Sequence, residues 1–365
     1  MRITYSSIPS RFTLSFLLGG LLLCLPSSGF AQEDRGADRT LPLALGEGLL
    51  PATNALEYSL TDIPGSSGGA PAIVDQRESG RFIVSKTASD IWNVSERFSH
   101  LGVGDDIVIP SGMMVPGDLW SVEGGGGYNH YFSNGQSLGL NLDAGSDSDH
   151  PFYSIHETVF RGSITYRLPS ATESSADARQ GFSGGRIPSG AHNAWLFSVS
   201  YSNNRHFANN FPLPGVGYYF LAFNNRLEGL VGFPYIALHY RPAPGWNAQF
   251  SIFGPRNVNL EIGRKLNKFL RAYTAFQWQS QEWLIADRQN YDDRLFFDKK
   301  RVALGLRSPL PHRMAIDLSG GRQFDQRFFV NNTSSVQDVS FAGLTPAWFM
   351  EIKLSYRFVV PQEIK

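Results

Sequence analysis

Apolar and polar residues alternate one for one along much of this chain. In ETVFRGSITYRL, Phe160, Ile164, Tyr166 and Leu168 interleave with Arg161, Ser163, Thr165 and Arg167. WNAQFSIF, NVNLEIGR, RVALGLR and MAIDLSGG repeat the pattern, and WFMEIKLSYRF puts Trp348, Met350, Ile352, Leu354, Tyr356 and Phe358 against Glu351, Lys353, Ser355 and Arg357. Strand side chains point to alternate faces, so each run is a strand with one apolar and one polar side. Counted back from the C-terminus, the runs fall near 347–359, 313–324, 293–307, 270–279, 257–264, 245–254, 230–241, 215–223, 193–203, 156–168, 136–145 and 118–132. The expectation is therefore an all-β chain of about 12 strands. IWNVSERFSH also alternates, and with RFIVS before it the count becomes 14.

A water-soluble sandwich alternates too. Three features favour a transmembrane antiparallel β-barrel instead: many runs exceed eight residues, bulky charged residues stand singly between apolar ones, and aromatics gather near run ends, as in HNAWLFSVSY and GYYFLAF. Long strands, an apolar outer band, a polar interior and aromatic girdles are what such a barrel requires. With the C-terminus periplasmic, connections near 325–346, 280–292 and 169–192 fall outside the cell, whereas SPLPH, KLNKF and RPAPG become periplasmic turns. Two connections fit that scheme poorly: Gly254-Pro255-Arg256 is very short for an outer loop, and Asp147 to Ile155 is long for an inner one.

Composition agrees with strands and tight turns, with 37 Gly, 27 Phe and 14 Tyr against 18% charged residues and no net charge. The first residues change the picture more. Arg2 and Arg11 precede an apolar run, Phe16 to Leu25, followed by small residues up to Ala31. That reads as a secretory signal peptide, residues 1–31, since a spanning helix needs about 20 apolar residues. Cys24, the single cysteine, lies within it. A cleaved chain has no cysteine for disulfides or cysteine-ligated metal. Residues 32–88, rich in Gly, Pro and Ser, read as a flexible leader or partial plug, 89–359 as the barrel, and 360–365 as a C-terminal tail.

The closing strand, the glycine-aromatic runs and YIALHYRPAPGWNAQFSIFGPRNVNLEIG resemble Gram-negative outer-membrane β-barrel proteins, in particular a family of bacterial barrels of unknown function. The resemblance covers Trp120 to Phe358 and implies outer-membrane localisation after signal-dependent export. It also implies contact with outer-membrane lipids and lipopolysaccharide, and insertion by the outer-membrane assembly machinery. Such proteins end on an aromatic residue read by that machinery, which points to Tyr356 and Phe358; here VVPQEIK follows.

In the barrel reading the lumen set is Arg161, Arg167, His239, Arg241, Glu261, Arg271, Arg301, Arg307, Asp317, Glu351, Lys353 and Arg357. Positive charge predominates, so an open channel would favour small anionic solutes. Paired across the lumen, the same residues would make a solid core. The functional expectation is a passive channel or small-solute transporter, and the alternatives are a structural or adhesion barrel and an outer-membrane lipid hydrolase. For the hydrolase, His206 in NNRHFANNF and His192 near Ser189 lack a third group to orient the base. DAGSDSDH, with Asp143, Asp147, Asp149 and His150, and RQNYDDR, with Asp292 and Asp293, do not match calcium-loop spacing. VEGGGGYN lacks a phosphate loop's lysine and reads as a bend in the wall. No cofactor, metal or nucleic-acid partner is expected.

Overall fold

The computed structural model describes residues 54–65, 71–170, 193–205, 209–224, 226–254, 256–286, 288, 290–332 and 340–358. Along the chain the strands are β1 (Asn54–Ile63), β2 (Ile73–Lys86), β3 (Asp90–Val103), β4 (Asp118–Tyr131), β5 (Ser137–Ser148), β6 (Thr158–Pro169), β7 (Ala194–Ser202), β8 (Leu213–Ala222) and β9 (Leu227–Phe233). They continue as β10 (Tyr235–Tyr240), β11 (Trp246–Phe253), β12 (Asn257–Lys265), β13 (Arg271–Trp283), β14 (Arg294–Leu310), β15 (Met314–Asn331), β16 (Phe341–Leu344) and β17 (Ala347–Phe358). Each pairs antiparallel with its sequence neighbour, except that β16 and β17 follow one another along the same edge of β15. They fill one wall position, so 17 segments make sixteen staves. The ladder Asn54↔Phe358 to Asp62↔Met350 then joins β17 to β1 and closes the sheet. Closure satisfies every edge, the condition for strands to cross hydrocarbon. No described helix is long and apolar enough to cross a membrane, which says nothing about strands.

The register sorts the side chains cleanly. One face carries Leu140, Leu142, Ile164, Phe197, Val199, Val216, Val231, Leu304, Leu318, Met350 and Ile352, all exposed, with Leu304 at 71% and Met350 at 74%. A soluble protein rarely exposes so continuous an apolar surface. The other face carries the buried and half-buried polar residues, so the barrel is greasy outside and polar inside. Aromatics stand where strands leave the band: Trp92, Tyr128, Trp195, Tyr218, Tyr240 and Trp246 at the end holding Asn54 and Phe358, and Trp120, Trp278 and Trp348 toward the other.

The stave count corrects the sequence reading of about 12, or 14, strands. Residues 230–241 are not one strand but the hairpin of β9 and β10, turning at Pro234. Merging the two inverted the sense of everything N-terminal to them. β6 ends and β7 begins at the same end as the barrel termini, so the 169–192 connection leaves from that end and not from the outer one. The Asp147–Ile155 connection lies at the opposite, outer end, and its length there is ordinary. The leader assigned to residues 32–88 is corrected in part, because β1 and β2 are wall strands. The glycine run Gly124–Gly127 lies inside an unbroken β4. Residues 1–31 and 360–365 lie outside the described residues.

Candidate functional site: the lumen and its outer mouth

Sixteen strands enclose more space than their own side chains fill, whereas eight can be packed solid. Whether this lumen is a passage therefore depends on what projects into it.

The inward register positions form a charged lining. On β6, Arg161 and Arg167 face in; Arg161 meets Glu123 of β4 and lies 2.7 Å from Asp147 of β5, and Arg167 donates to the Gly135 carbonyl at 3.0 Å. Arg307 of β14 bridges Glu261 of β12 at 3.2 Å and Asp317 of β15 at 2.8 Å, with Tyr273 donating to Asp317 and its ring lying under the guanidinium. Arg301 reaches Glu351 at 3.2 Å, and Lys353 reaches Glu57 at 2.7 Å. His239 stands opposite Glu228 and Gln249, and Arg241, just past β10, is 3.8 Å from Glu228. Arg271 sits across from Arg307, and Arg357 across from Ala55. Tyr356 and Phe358 fall at the closing seam with β1.

The positive excess of the twelve-residue lumen set shrinks here, because that set lacks several inward acids: Glu57, Asp75, Glu123, Asp143, Asp147 and Glu228. Three of the six were passed over because β1 and β2 were not read as wall and because β9 was fused to β10. The pairs differ in weight. Glu57 and Lys353 keep 40% and 33% of their side-chain surface. Replacing Lys353 with Met should change stability by less than about 1 kcal/mol, measured as urea denaturation in detergent micelles.

At the outer end the lining closes. Residues Arg294 to Lys299 of β14 are all buried, at 0–3% exposure, although a strand in a single-layer wall buries only one face. Phe297 stacks on Phe328 at 4.4 Å, and with Trp283, Leu295, Ile107, Ile109, Val115, Leu119 and Phe349 they form the main apolar core. The other face of the same strands stacks Phe296 on Phe329, under the Arg256 guanidinium. The outer ends of β13 to β15 thus lean into the mouth, packed on one side by the β3–β4 connection and the tops of β1 to β4.

Hydrogen bonds carry this element to the far wall. Leu284 N–H donates to the Asp147 carbonyl at 2.8 Å, Ala286 N–H to Asp149 Oδ1 at 2.8 Å, and Arg288 reaches Glu157 at 3.3 Å and the His156 carbonyl at 2.7 Å. β5 and β13 are eight staves apart in a ring of sixteen, so these contacts span the mouth. Arg294 donates to Asn204 and to the Asn203 carbonyl, and Lys299 bonds Asp75 at 2.8 Å, with Arg77 on the same carboxylate at 2.6 Å. In the outer connection after β7, burial lowers the pKa of Arg205, and the charge of Glu282 raises it.

Among the described residues no cluster of His, Cys, Asp and Glu could hold a metal. Asp147 and Asp149 of DAGSDSDH are engaged in closing the mouth. His206, His192 and Ser189 lie outside the described residues.

No protein-family model and no curated protein matches the chain. Solved structures similar to it include an outer-membrane channel from Pseudomonas putida F1 (8% identity, 90% of this chain, 100% of that one, TM-score 0.32). The Pseudomonas putida toluene transporter TodX is also similar (8%, 84% and 89%, 0.32), as is outer-membrane expressed OmpT of Vibrio cholerae (9%, 84% and 96%, 0.31). Likenesses this loose carry no argument, and the barrel stands on its closed ladder and inverted polarity.

Proposed function

We propose that the protein is an outer-membrane channel for small solutes whose outer mouth is shut, in the described conformation, by the inward-leaning ends of β13 to β15. The observation that carries this reading is a sixteen-stave circumference around a charged lining. A wall that wide is unnecessary for a solid plug, and among the described residues the closure lies at the outer end. Below it Arg97, Glu57 and Lys353 keep 33–40% of their side-chain surface, as residues around water do. The paired acids and bases make selectivity weak, with a small preference for anions left by the remaining arginines. In this reading the protein is exported by its N-terminal signal and inserted by the assembly machinery through Tyr356 and Phe358. Its loops then face lipopolysaccharide.

The closed mouth favours a second reading, a structural or adhesion barrel that passes nothing. Two measurements separate them. First, outer-membrane fractions are run unheated and boiled on a gel; a compact, fast-moving unheated band is expected of a folded barrel. Second, the purified protein is recorded in a planar bilayer under voltage. Resolved conductance steps with weak anion preference support the channel. Silence at every voltage, from protein that shows the gel shift, leaves the structural barrel.

A further inference from the structure

Between the two aromatic levels the outward face is apolar from β5 round to β17, but not on β2 and β3. There Glu78 and Glu96 point outward, on the face of Phe82, Val94 and Phe98. They are the only carboxyl groups at that level of the outer wall among the described residues. On β3, Glu96 lies between Trp92 and Val94 on one side and Phe98 and His100 on the other, and His100 stacks on Trp120 at 3.9 Å. It is thus in the middle of the band. Glu78 is diagonal to it across the ladder, where Gly80 pairs with Glu96 and Glu78 with Phe98. A Cβ at Gly80 would come within 2.6 Å of Glu96 Oε1, so the glycine makes room for the carboxyl group.

Beside this pair the wall is notched. Gly124 and Gly126 are the outward residues of β4 at this level, and a Cβ on Gly124 would meet nothing within 4 Å. On the other side Tyr58 of β1 stands directly opposite Glu78 and projects from the wall. Lipid offers carboxyl groups no hydrogen-bond donor, and acyl chains gain nothing from a fitted notch. A protein surface supplies both.

We propose that this face is the interface of a homodimer, with a two-fold axis along the membrane normal passing between β2 and β3. Subunits of one membrane share their orientation, and that axis sets β2 against the partner's β3 and β1 against the partner's β4. Tyr58 then enters the notch at the partner's Gly124 and the partner's Gly126, with its hydroxyl beside the partner's Glu96. Gln76, one outward position above Glu78, comes level with the partner's His100. Bulk meets hollow and donor meets acceptor twice over, once on each side of the axis. The opposite wall, β10 and β11 with Ile236, Leu238 and Phe250, offers neither.

The interface rests on the outer wall lying in lipid, so the gel shift is scored first. Protein without it fails the membrane reading, and only protein with it tests the dimer. In a Cys24→Ser background, Leu60→Cys on β1 and Val122→Cys on β4 are co-expressed as two differently tagged chains, with Tyr58, both glutamates and the glycines intact. A disulfide-linked mixed pair in membranes is expected, as is a mass in mild detergent near twice that of one chain. Gly124→Trp, which fills the notch, should halve that mass while keeping the gel shift. The proposal is overturned by a monomer mass for the parent. It is equally overturned by cross-linking no stronger than that of a Leu60→Cys and Leu260→Cys pair, by a trimer, or by stoichiometric co-purification of a different chain through this face.

Discussion

Asp75→Ala should lower the stability of the barrel by about 3–5 kcal/mol, because the carboxylate it removes is buried and holds two cations. Asp75 is 2% exposed, accepts from Arg77 at 2.6 Å and 2.9 Å, and meets Lys299, itself 1% exposed, at 2.8 Å. These residues are not neighbours in the wall. Lys299 belongs to β14 and Asp75 to β2, with β15, β17 and β1 between them, so the bond joins the inward-leaning strands to wall a quarter of the way round the ring. Alanine leaves the buried Lys299 ammonium beside the half-exposed Arg77 guanidinium with no carboxylate between them. Lys299→Met should cost less, because Asp75 keeps Arg77. The double change Asp75→Asn with Lys299→Met should recover much of the loss, since it removes the buried ammonium together with its counter-ion and leaves the half-exposed Arg77 an amide oxygen to bond. The readout is the fraction of fast-migrating unheated band across a urea series in detergent, with Lys353→Met as the inexpensive comparison. Equal costs for Asp75→Ala and Lys353→Met would remove the bond from any part in holding the mouth.

What could be read in the sequence follows from which strands obey a single rule. From β5 to β8, from β11 to β15 and on β17, apolar outside and polar inside alternate through the band, and these strands were found, whereas β16 fell within the connection read at 325–346. β9 and β10 escaped because both are short and only Pro234 separates them. A signal was present: the outward set runs Val231, Phe233 and then Ile236, Leu238, a change of parity that one continuous strand cannot make. β2 escaped for a different reason. Its outward positions are Val74, Gln76, Glu78, Gly80 and Phe82, polar in the middle where lipid would demand apolar, so the pattern that reveals a membrane strand is missing where a protein partner is proposed. β1 alternates through Leu56, Tyr58 and Leu60 but was read as leader, because it sits behind a long stretch without period. The closure of the mouth was not legible. It depends on β13 meeting β5 across the barrel, and no local pattern encodes which staves lie opposite until all sixteen are counted.

Replacing residues 285–292 with a short Gly-Ser turn should convert a mostly closed protein into one with large, stable conductance, several-fold above the parent's. The change leaves the wall intact, because the ladder of β13 with β14 runs from Arg271↔Arg307 to Trp283↔Leu295. It deletes the contacts that tie the outer hairpin to the opposite wall, Ala286 with Asp149 and Arg288 with Glu157 and the His156 carbonyl. Charge-assisted hydrogen bonds of this kind are the strong ones, and here they are made at the tip of the element, where leverage against the apolar core behind is greatest. The converse change tests the same element from the other side: Ala286→Cys with Asp149→Cys should lock the mouth when oxidised and release it on reduction. Both proteins are compared in planar bilayers at equal amounts of heat-modifiable barrel. Opening by the deletion together with reversible closure by the disulfide makes the hairpin the gate of a channel. If the shortened protein stays silent, the apolar core around Phe297 and Phe328 closes the lumen by itself. The tip contacts then serve the stability of the outer surface, not the control of passage.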